Sequence, residues 1–386
     1  MKKNLNFLMM FGLCLLTACS TPNNGSSSSE VTVPLLKDVY ANYFPIGAAL
    51  TENKISLYED LLPNFNSITQ EYEAKWSITE PLEGQFDFSS SDPMVEYAKE
   101  NGKGVRGHTL VWYKSLPRYV LSDNPSKEKL ISRIENHVEG VINHFKDDVY
   151  VWDVVNEALR DYPSLAQVES GDFYRTGDET NDATGGDLFA ICGIDYIESA
   201  FKEAYRVRQE NNYNFKLFYN DYGLNYPNKR EALLKMLDQF ALDGTPIEGV
   251  GLQAHYYLGS FNIDEFENTI RSIVERGLDV QITELDVSIY PYSTYPITYD
   301  EIPESLSKIQ ASMYGQIMGI ARKYSHPEND AYGKVTGVTM WGVADDITWL
   351  DNNPVSGRKN WPLLFDEFHE PKQAFWSFID LDKYGE

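Results

Sequence analysis

A single (β/α)8 barrel is what this sequence predicts, on three observations. Eight short runs rich in β-branched and aromatic residues recur along the chain, segments of helical period lie between them, and polar or aromatic residues close several of the runs. The runs are residues 44–49, 67–71, 103–111, 149–156, 216–220, 249–254, 279–283 and 336–341. Among the helical segments residues 127–145 are the clearest. Leu130, Ile131, Ile134, Val138, Val141, Ile142 and Phe145 repeat on one stripe, and Asn124-Pro125 suit its start. Residues 228–242 behave alike, with Leu233, Leu234, Leu237 and Phe240 facing the core and Gly244 just past the end. Strand then helix, repeated eight times, closes parallel strands into a barrel. Residues 31–386 suit one such barrel with extended loops, and neither a second domain nor an internal repeat is visible. Tyr162 to Gly186, acidic and glycine-rich, is expected as a long loop at the barrel's C-terminal face.

The N-terminus is read separately. Met1-Lys2-Lys3 precedes an apolar stretch from Leu5 to Leu16, and Leu16-Thr17-Ala18-Cys19 follows. This is the pattern of a bacterial secretory signal with a lipoprotein-type cleavage site, so residues 1–18 are expected to be removed. Cys19 is then the lipid-bearing residue, and several acyl chains on it hold a membrane more firmly than one. Residues 19–30, with four consecutive serines from Ser26, read as a flexible tether. The expected location is a lipoprotein of the cell envelope, on the periplasmic face or the cell surface.

Composition narrows the partners. With 33 basic and 58 acidic residues the net charge is −25, which argues against nucleic acid or anionic lipid on the folded part and favours a neutral polymer. Of three cysteines, Cys14 leaves with the signal and Cys19 is used by lipid, so Cys192 remains alone as a small buried hydrophobe. No His-Glu-x-x-His string and no cysteine pair is present, so neither a metal nor another cofactor is expected. His137 and His144, seven apart on one helix, read as surface or packing residues. A monomer is expected.

Two glutamates carry the chemistry. Glu157 closes Trp152-Asp153-Val154-Val155-Asn156-Glu157, and Glu284 closes Gln281-Ile282-Thr283-Glu284. A carboxyl at the C-terminal edge of a barrel strand faces the usual active-site end. Two such carboxyls across a sugar-sized gap can cleave a glycosidic bond, one protonating the departing oxygen and the other attacking or guiding water. Direct attack requires them about 5 to 5.5 Å apart. Indole rings suit the apolar C–H faces of a sugar, so Trp112, Trp341 and Trp349 are candidate walls, although Trp349 suits barrel packing equally well. Trp152, inside a strand, is assigned to packing.

The order of motifs then identifies a relative. Ser67-Ile68-Thr69 with Glu71 and Lys75, Gly107-His108-Thr109-Leu110-Val111-Trp112, Trp152 to Ala158, Tyr219-Asn220-Asp221-Tyr222, Gly251-Leu252-Gln253-Ala254-His255, Ile282-Thr283-Glu284-Leu285-Asp286 and Trp341-Gly342-Val343 occur in sequence. This string resembles glycoside hydrolase family 10, the retaining endo-β-1,4-xylanases, over nearly the whole mature chain. The resemblance implies Glu157 as acid/base and Glu284 as nucleophile. It implies Asn156 on the 2-hydroxyl of the attacked sugar, and His255 and Asp286 as the pair orienting the nucleophile. It implies Lys75, His108, Trp112, Gln253 and Trp341 as glycone-side contacts, Glu71 as an acidic contact further out, and xylan or a xylooligosaccharide as substrate; Asn220 and Tyr222 of the fifth-strand motif, with Trp349, are further expected substrate contacts.

The chain departs from the family at one place. Glu71-Tyr72-Glu73-Ala74-Lys75 stands where the family runs Glu-Asn-x-Met-Lys, and Trp112-Tyr113-Lys114-Ser115 where it runs Trp-His-Ser-Gln. Tyr72 and Ser115 thus replace amides that hold the second sugar on the glycone side, so altered selectivity is expected there. Two alternatives stay open: a retaining β-glycanase for another β-1,4 polymer, since fold does not fix substrate, and a surface glycan-binding lipoprotein without catalysis.

Overall fold

Nine strands run in chain order: β1 (Ile46–Leu50), β2 (Ser67–Gln70), β3 (Gly104–Trp112), β4 (Val149–Asn156), β5 (Lys216–Asp221), β6 (Gly249–Leu252), β7 (His255–Tyr257), β8 (Asp279–Ser288) and β9 (Val335–Met340). The computed structural model describes residues 33–176, 187–292, 297–326, 331–380 and 382. Residues 1–32, with Cys19, and residues 177–186 of the Tyr162–Gly186 loop lie outside the described residues. Each of β1 to β5 pairs in parallel with its successor, β6 pairs with β8, β8 with β9, and β9 returns to β1. Eight parallel strands therefore close into the expected barrel. The compact unit that contains it spans Leu35–Glu386.

Three local expectations are corrected. The sixth run, residues 249–254, is divided: β6 stops at Leu252, Ala254 takes φ +63, and β7 restarts at His255. β7 pairs only with the far end of β8, His255 opposite Asp286 and Tyr257 opposite Ser288. That pairing lengthens β8 to Ser288, so Glu284 lies within its strand and not at its end. The strand–helix alternation also fails once, because β1 and β2 are joined by 3-10 turns at Glu52–Lys54 and Leu62–Asn64. Tyr58, Leu61, Leu62 and Phe65 of this connection are buried and cover the barrel where a helix would.

Elsewhere helices form the outer layer. The helix Lys127–Phe145 has the expected bounds and buries Leu130, Ile134, Val138, Val141, Ile142 and Phe145, each worth about 1.5–3 kcal/mol when fully removed from water. Its start is fixed by Ser126, whose side chain accepts from the Lys129 N–H, and not by Asn124-Pro125. His137 on this helix is wholly buried, stacked on Trp76 and hydrogen-bonded to Glu80 at 2.9 Å. The helix Pro227–Asp243 ends, as expected, at Gly244 in the left-handed conformation. Cys192 is buried.

Alternation along β4 decides which groups enter the barrel. Trp152 points out into the helix layer against Phe145, with ring centroids 5.8 Å apart. It lies so close to β3 that a Cβ on Gly107 would sit 2.2 Å from its ring, which is why this position has no side chain. Asp153, the next residue, is buried and held by both terminal nitrogens of Arg106. Arg106 Nε also donates to Gln281 Oε1 at 2.8 Å, so this ion pair ties three strands together beneath the catalytic end.

Candidate active site

Glu157 stands one residue beyond β4 on a turn with φ +57, a conformation a non-glycine residue adopts only when neighbours enforce it. The neighbours are named. Glu157 N donates to the Asn220 carbonyl at 2.9 Å, and Ala158 N donates to Tyr219 Oη at 3.0 Å. From the other side Arg175 donates through Nε to the Glu157 carbonyl at 3.0 Å and through Nη2 to the Leu159 carbonyl at 2.9 Å. Asp161 and Tyr222 Oη, themselves hydrogen-bonded, also bind Arg175, and Tyr113 stacks on its guanidinium with the cation 4.7 Å from the ring centre.

The two carboxyls are linked through three amides. Asn156 Oδ1 accepts from Asn220 Nδ2 at 3.0 Å and from Gln253 Nε2 at 3.2 Å. Asn220 Nδ2 also reaches Glu284 Oε1 at 2.7 Å, and Gln253 Nε2 reaches Glu157 Oε1 at 3.0 Å. Asn156 Nδ2 is 3.3 Å from the same Glu157 oxygen. Asn220 in turn accepts from Thr283 Oγ1 at 2.6 Å. Asn220, expected as a substrate contact, is wholly buried and both ends of its amide are engaged by these partners. Gln253 is likewise almost wholly buried, with its nitrogen committed to Glu157 and Asn156.

The carboxyls differ in their surroundings. Both oxygens of Glu284 receive donors, Oε1 from Asn220 and Oε2 from His255 Nε2 at 3.1 Å. Burial pushes its pKa up, but the His255 and Asn220 bonds and nearby positive charge outweigh burial and hold it below the usual carboxylate value. His255 forms an ion pair through Nδ1 with Asp286 Oδ1 at 3.1 Å. Burial opposes charge on this ring, yet Asp286 and Glu284 together raise its pKa to about 10. Glu157 is different: only Oε1 is tied, and Oε2 accepts no hydrogen bond from the described residues, the nearest cation being Lys114 Nζ at 4.0 Å.

The remaining expected residues line one side of this pair. His108 Nδ1 is 2.9 Å from Asp153 Oδ2 and 4.0 Å from Glu284 Oε1, and its ring meets the edge of Trp341 with centroids 5.4 Å apart. Lys75 is sandwiched between the rings of Tyr72 and Trp112, 4.7 Å from each centroid, and burial lowers its pKa. Glu71 is paired with Lys54 at 3.0 Å. Tyr72 is half exposed, Tyr113 is buried, and Ser115 Oγ lies 2.8 Å from Ser77 Oγ. Trp349 Nε1 donates to Asp286 Oδ2 at 2.7 Å while its ring meets the edge of His255.

Sequence reasoning missed Arg175, Lys114, Asp161 and Thr283. One signal was available: Arg175 is the only basic residue between Tyr162 and Gly186. Among the described residues no cluster of three or more His, Cys, Asp or Glu side chains could hold a metal ion.

Residues 35–381 match the family model of glycosyl hydrolase family 10. The chain is 39% identical over 377 residues to a β-1,4-xylanase of Dictyoglomus thermophilum, covering 97% of this chain and 99% of that protein. The crystal structure of an endo-1,4-β-xylanase from Caldicellulosiruptor owensensis superposes with a TM-score of 0.79 at 36% identity, covering 90% of this chain and all of that one. A mutant structure in complex with xylotriose superposes with a TM-score of 0.80, again at 36% identity and with the same coverage. With the match spanning the barrel and all the motifs on it, the chain belongs to glycoside hydrolase family 10.

Proposed function

We propose that this chain is an endo-β-1,4-xylanase that hydrolyses internal bonds of xylan with retention of configuration, Glu284 acting as nucleophile and Glu157 as acid/base. The observation that carries the assignment of roles is the asymmetry of the two carboxyls. Glu284 is saturated with donors on both oxygens, which suits an anion that attacks the anomeric carbon. Glu157 keeps Oε2 free to carry the proton that the leaving oxygen needs, while Gln253 and Asn156 fix Oε1. Once Glu284 is esterified its charge is gone, and Glu157 can accept a proton from water attacking the glycosyl-enzyme. Asn156, within reach of the linked amides, holds the attacked sugar, and His255 with Asp286 holds the nucleophile. Lys75, His108, Trp112 and Trp341 form the glycone wall.

The catalytic domain is residues 31–386, working as a monomer on the cell envelope. Residues 1–18 act as a signal, Cys19 carries the lipid and residues 19–30 form the tether. At the second glycone sugar Tyr72 offers a ring face and Ser115 is engaged with Ser77, so selectivity there is altered toward stacking.

The test uses linear xylohexaose with Glu284→Ala as the blank. Proton NMR should show the β-anomer forming first, and an initially formed α-anomer would remove the mechanism. Family-typical affinity on linear and decorated xylooligosaccharides would remove the altered subsite. Incorporation of labelled palmitate that is lost in Cys19→Ala tests the anchor.

A further inference from the structure

A buried ion pair lies behind the Glu157 turn. Lys229, in the first turn of the helix Pro227–Asp243, and Asp221, the last residue of β5, are both wholly buried, with Lys229 Nζ 2.8 Å from Asp221 Oδ1. Lys229 Nζ also sits 3.9 Å from the centre of the Tyr222 ring, and Tyr222 N donates to Asp221 Oδ1 at 2.8 Å. A buried pair adds little stability over well-packed apolar residues of similar volume, so its presence beside a catalytic turn calls for another reason.

Asp221 reaches Glu157 by two routes. Its Oδ2 accepts from Tyr219 Oη, and the same phenol oxygen accepts the N–H of Ala158, the residue after Glu157, at 3.0 Å. Its backbone carbonyl accepts from Gln253 N at 3.0 Å, and the Gln253 side chain holds Glu157 Oε1. The first route depends on direction. A phenol has one proton; with Asp221 ionised that proton goes to the carboxylate, which leaves a lone pair of Tyr219 Oη for the Ala158 N–H. Burial pushes Asp221 toward its neutral form, and the positive charges of Lys229 and Arg175 oppose it. A protonated Asp221 can donate to Tyr219 instead, which releases the phenol proton to turn toward Ala158 and displace its N–H.

We propose that Lys229 is a positioning residue for the acid/base: through Asp221 and Tyr219 it fastens the left-handed turn that aims Glu157 at the leaving oxygen. The proposal rests on the reading of Glu157 as acid/base. Lys229 acts through these two residues and not on the substrate, so its effect belongs to the steps in which Glu157 moves a proton.

The test compares kcat/KM on two aryl β-xylobiosides, one with a phenyl leaving group that needs a proton and one with a 2,4-dinitrophenyl group that departs without it. The proteins are the wild type, Lys229→Met, the uncharged pair Lys229→Met with Asp221→Asn, Tyr219→Phe and, as reference, Glu157→Ala. General acid catalysis is worth about 10²–10⁴-fold, and a misaimed acid loses part of it: each Lys229 and Tyr219 variant should fall about tenfold on the phenyl substrate and less than about twofold on the dinitrophenyl one. Azide, a nucleophile that needs no base, should raise kcat on the dinitrophenyl substrate in these variants and not in the wild type. Equal losses on both substrates, the mark of a merely structural role, would overturn the proposal, as would unchanged rates on both. Should Lys229→Met fail to fold, the uncharged pair, which strands no buried charge, and Tyr219→Phe are read by the same two rates. Equal losses in Glu157→Ala would overturn the acid/base reading itself, whereas a split there without one in the other variants would overturn the role of Lys229 alone.

Discussion

Replacing Trp349 with phenylalanine separates its two roles, because the change keeps an aromatic face and removes one donor. Trp349 Nε1 lies 2.7 Å from Asp286 Oδ2, and Asp286 is wholly buried. A hydrogen bond to a buried charged acceptor is worth about 1.5–3 kcal/mol. Asp286 acts on Glu284 only through His255, so part of that reaches the transition state. A loss of about 1.4 kcal/mol there corresponds to about tenfold in kcat. Steady-state kinetics on an aryl β-xylobioside reads it directly: kcat for Trp349→Phe should fall about tenfold with KM changed by less than about twofold. Unchanged kcat with a large rise in KM would refute the reasoning and return Trp349 to the sugar wall alone.

Three further outcomes are expected. In Gly251→Ala the new Cβ would lie 2.1 Å from Asn220 Oδ1, so Asn220 must move from Glu284; kcat should fall at least about tenfold while circular dichroism stays native. Lys372 Nζ lies 2.7 Å from Asp345 Oδ2, both buried, and burial pushes Asp345 up to about 6 even with that partner. Lys372→Met should cost about 3–5 kcal/mol in urea denaturation, and a cost below about 1 kcal/mol would contradict the pairing. His255 is raised to about 10 against an ordinary 6.5, so its contribution to stability is complete below about pH 6.5 and is lost as pH rises through about 10. The thermal midpoint should decline across that window more steeply in the wild type than in His255→Gln, and parallel profiles would count against a charged His255.

The barrel was legible because its signals are local. Residues 149–156 form a strand within their predicted bounds since the run is β-branched and aromatic, and the stripe of residues 127–145 needed only period. What escaped was set by tertiary pairing. Ala254 carries no mark of its left-handed φ, so the division of the sixth strand was invisible, and with it the extension that places Glu284 inside β8. Asn220 was expected as a sugar contact from its place in the Tyr219–Tyr222 motif, and its links to Thr283, Asn156 and Glu284 come from other strands that spacing does not show. Arg175 acts through a loop that returns to the Glu157 turn, a path that spacing alone does not reveal.

β8 is flanked by β6 and β9 along its first part and by β7 along its second. Amides around Glu284 are therefore expected to open only when the whole domain unfolds, and hydrogen exchange there should be among the slowest in the chain. The turn of Glu157 has one backbone bond, from its N–H to the Asn220 carbonyl, and is otherwise secured by the Arg175 and Tyr219 side chains, a fastening that can release locally. One carboxyl is therefore anchored to the global stability of the fold and the other to a local latch, so mild denaturant should loosen proton transfer before it disturbs the attacking group.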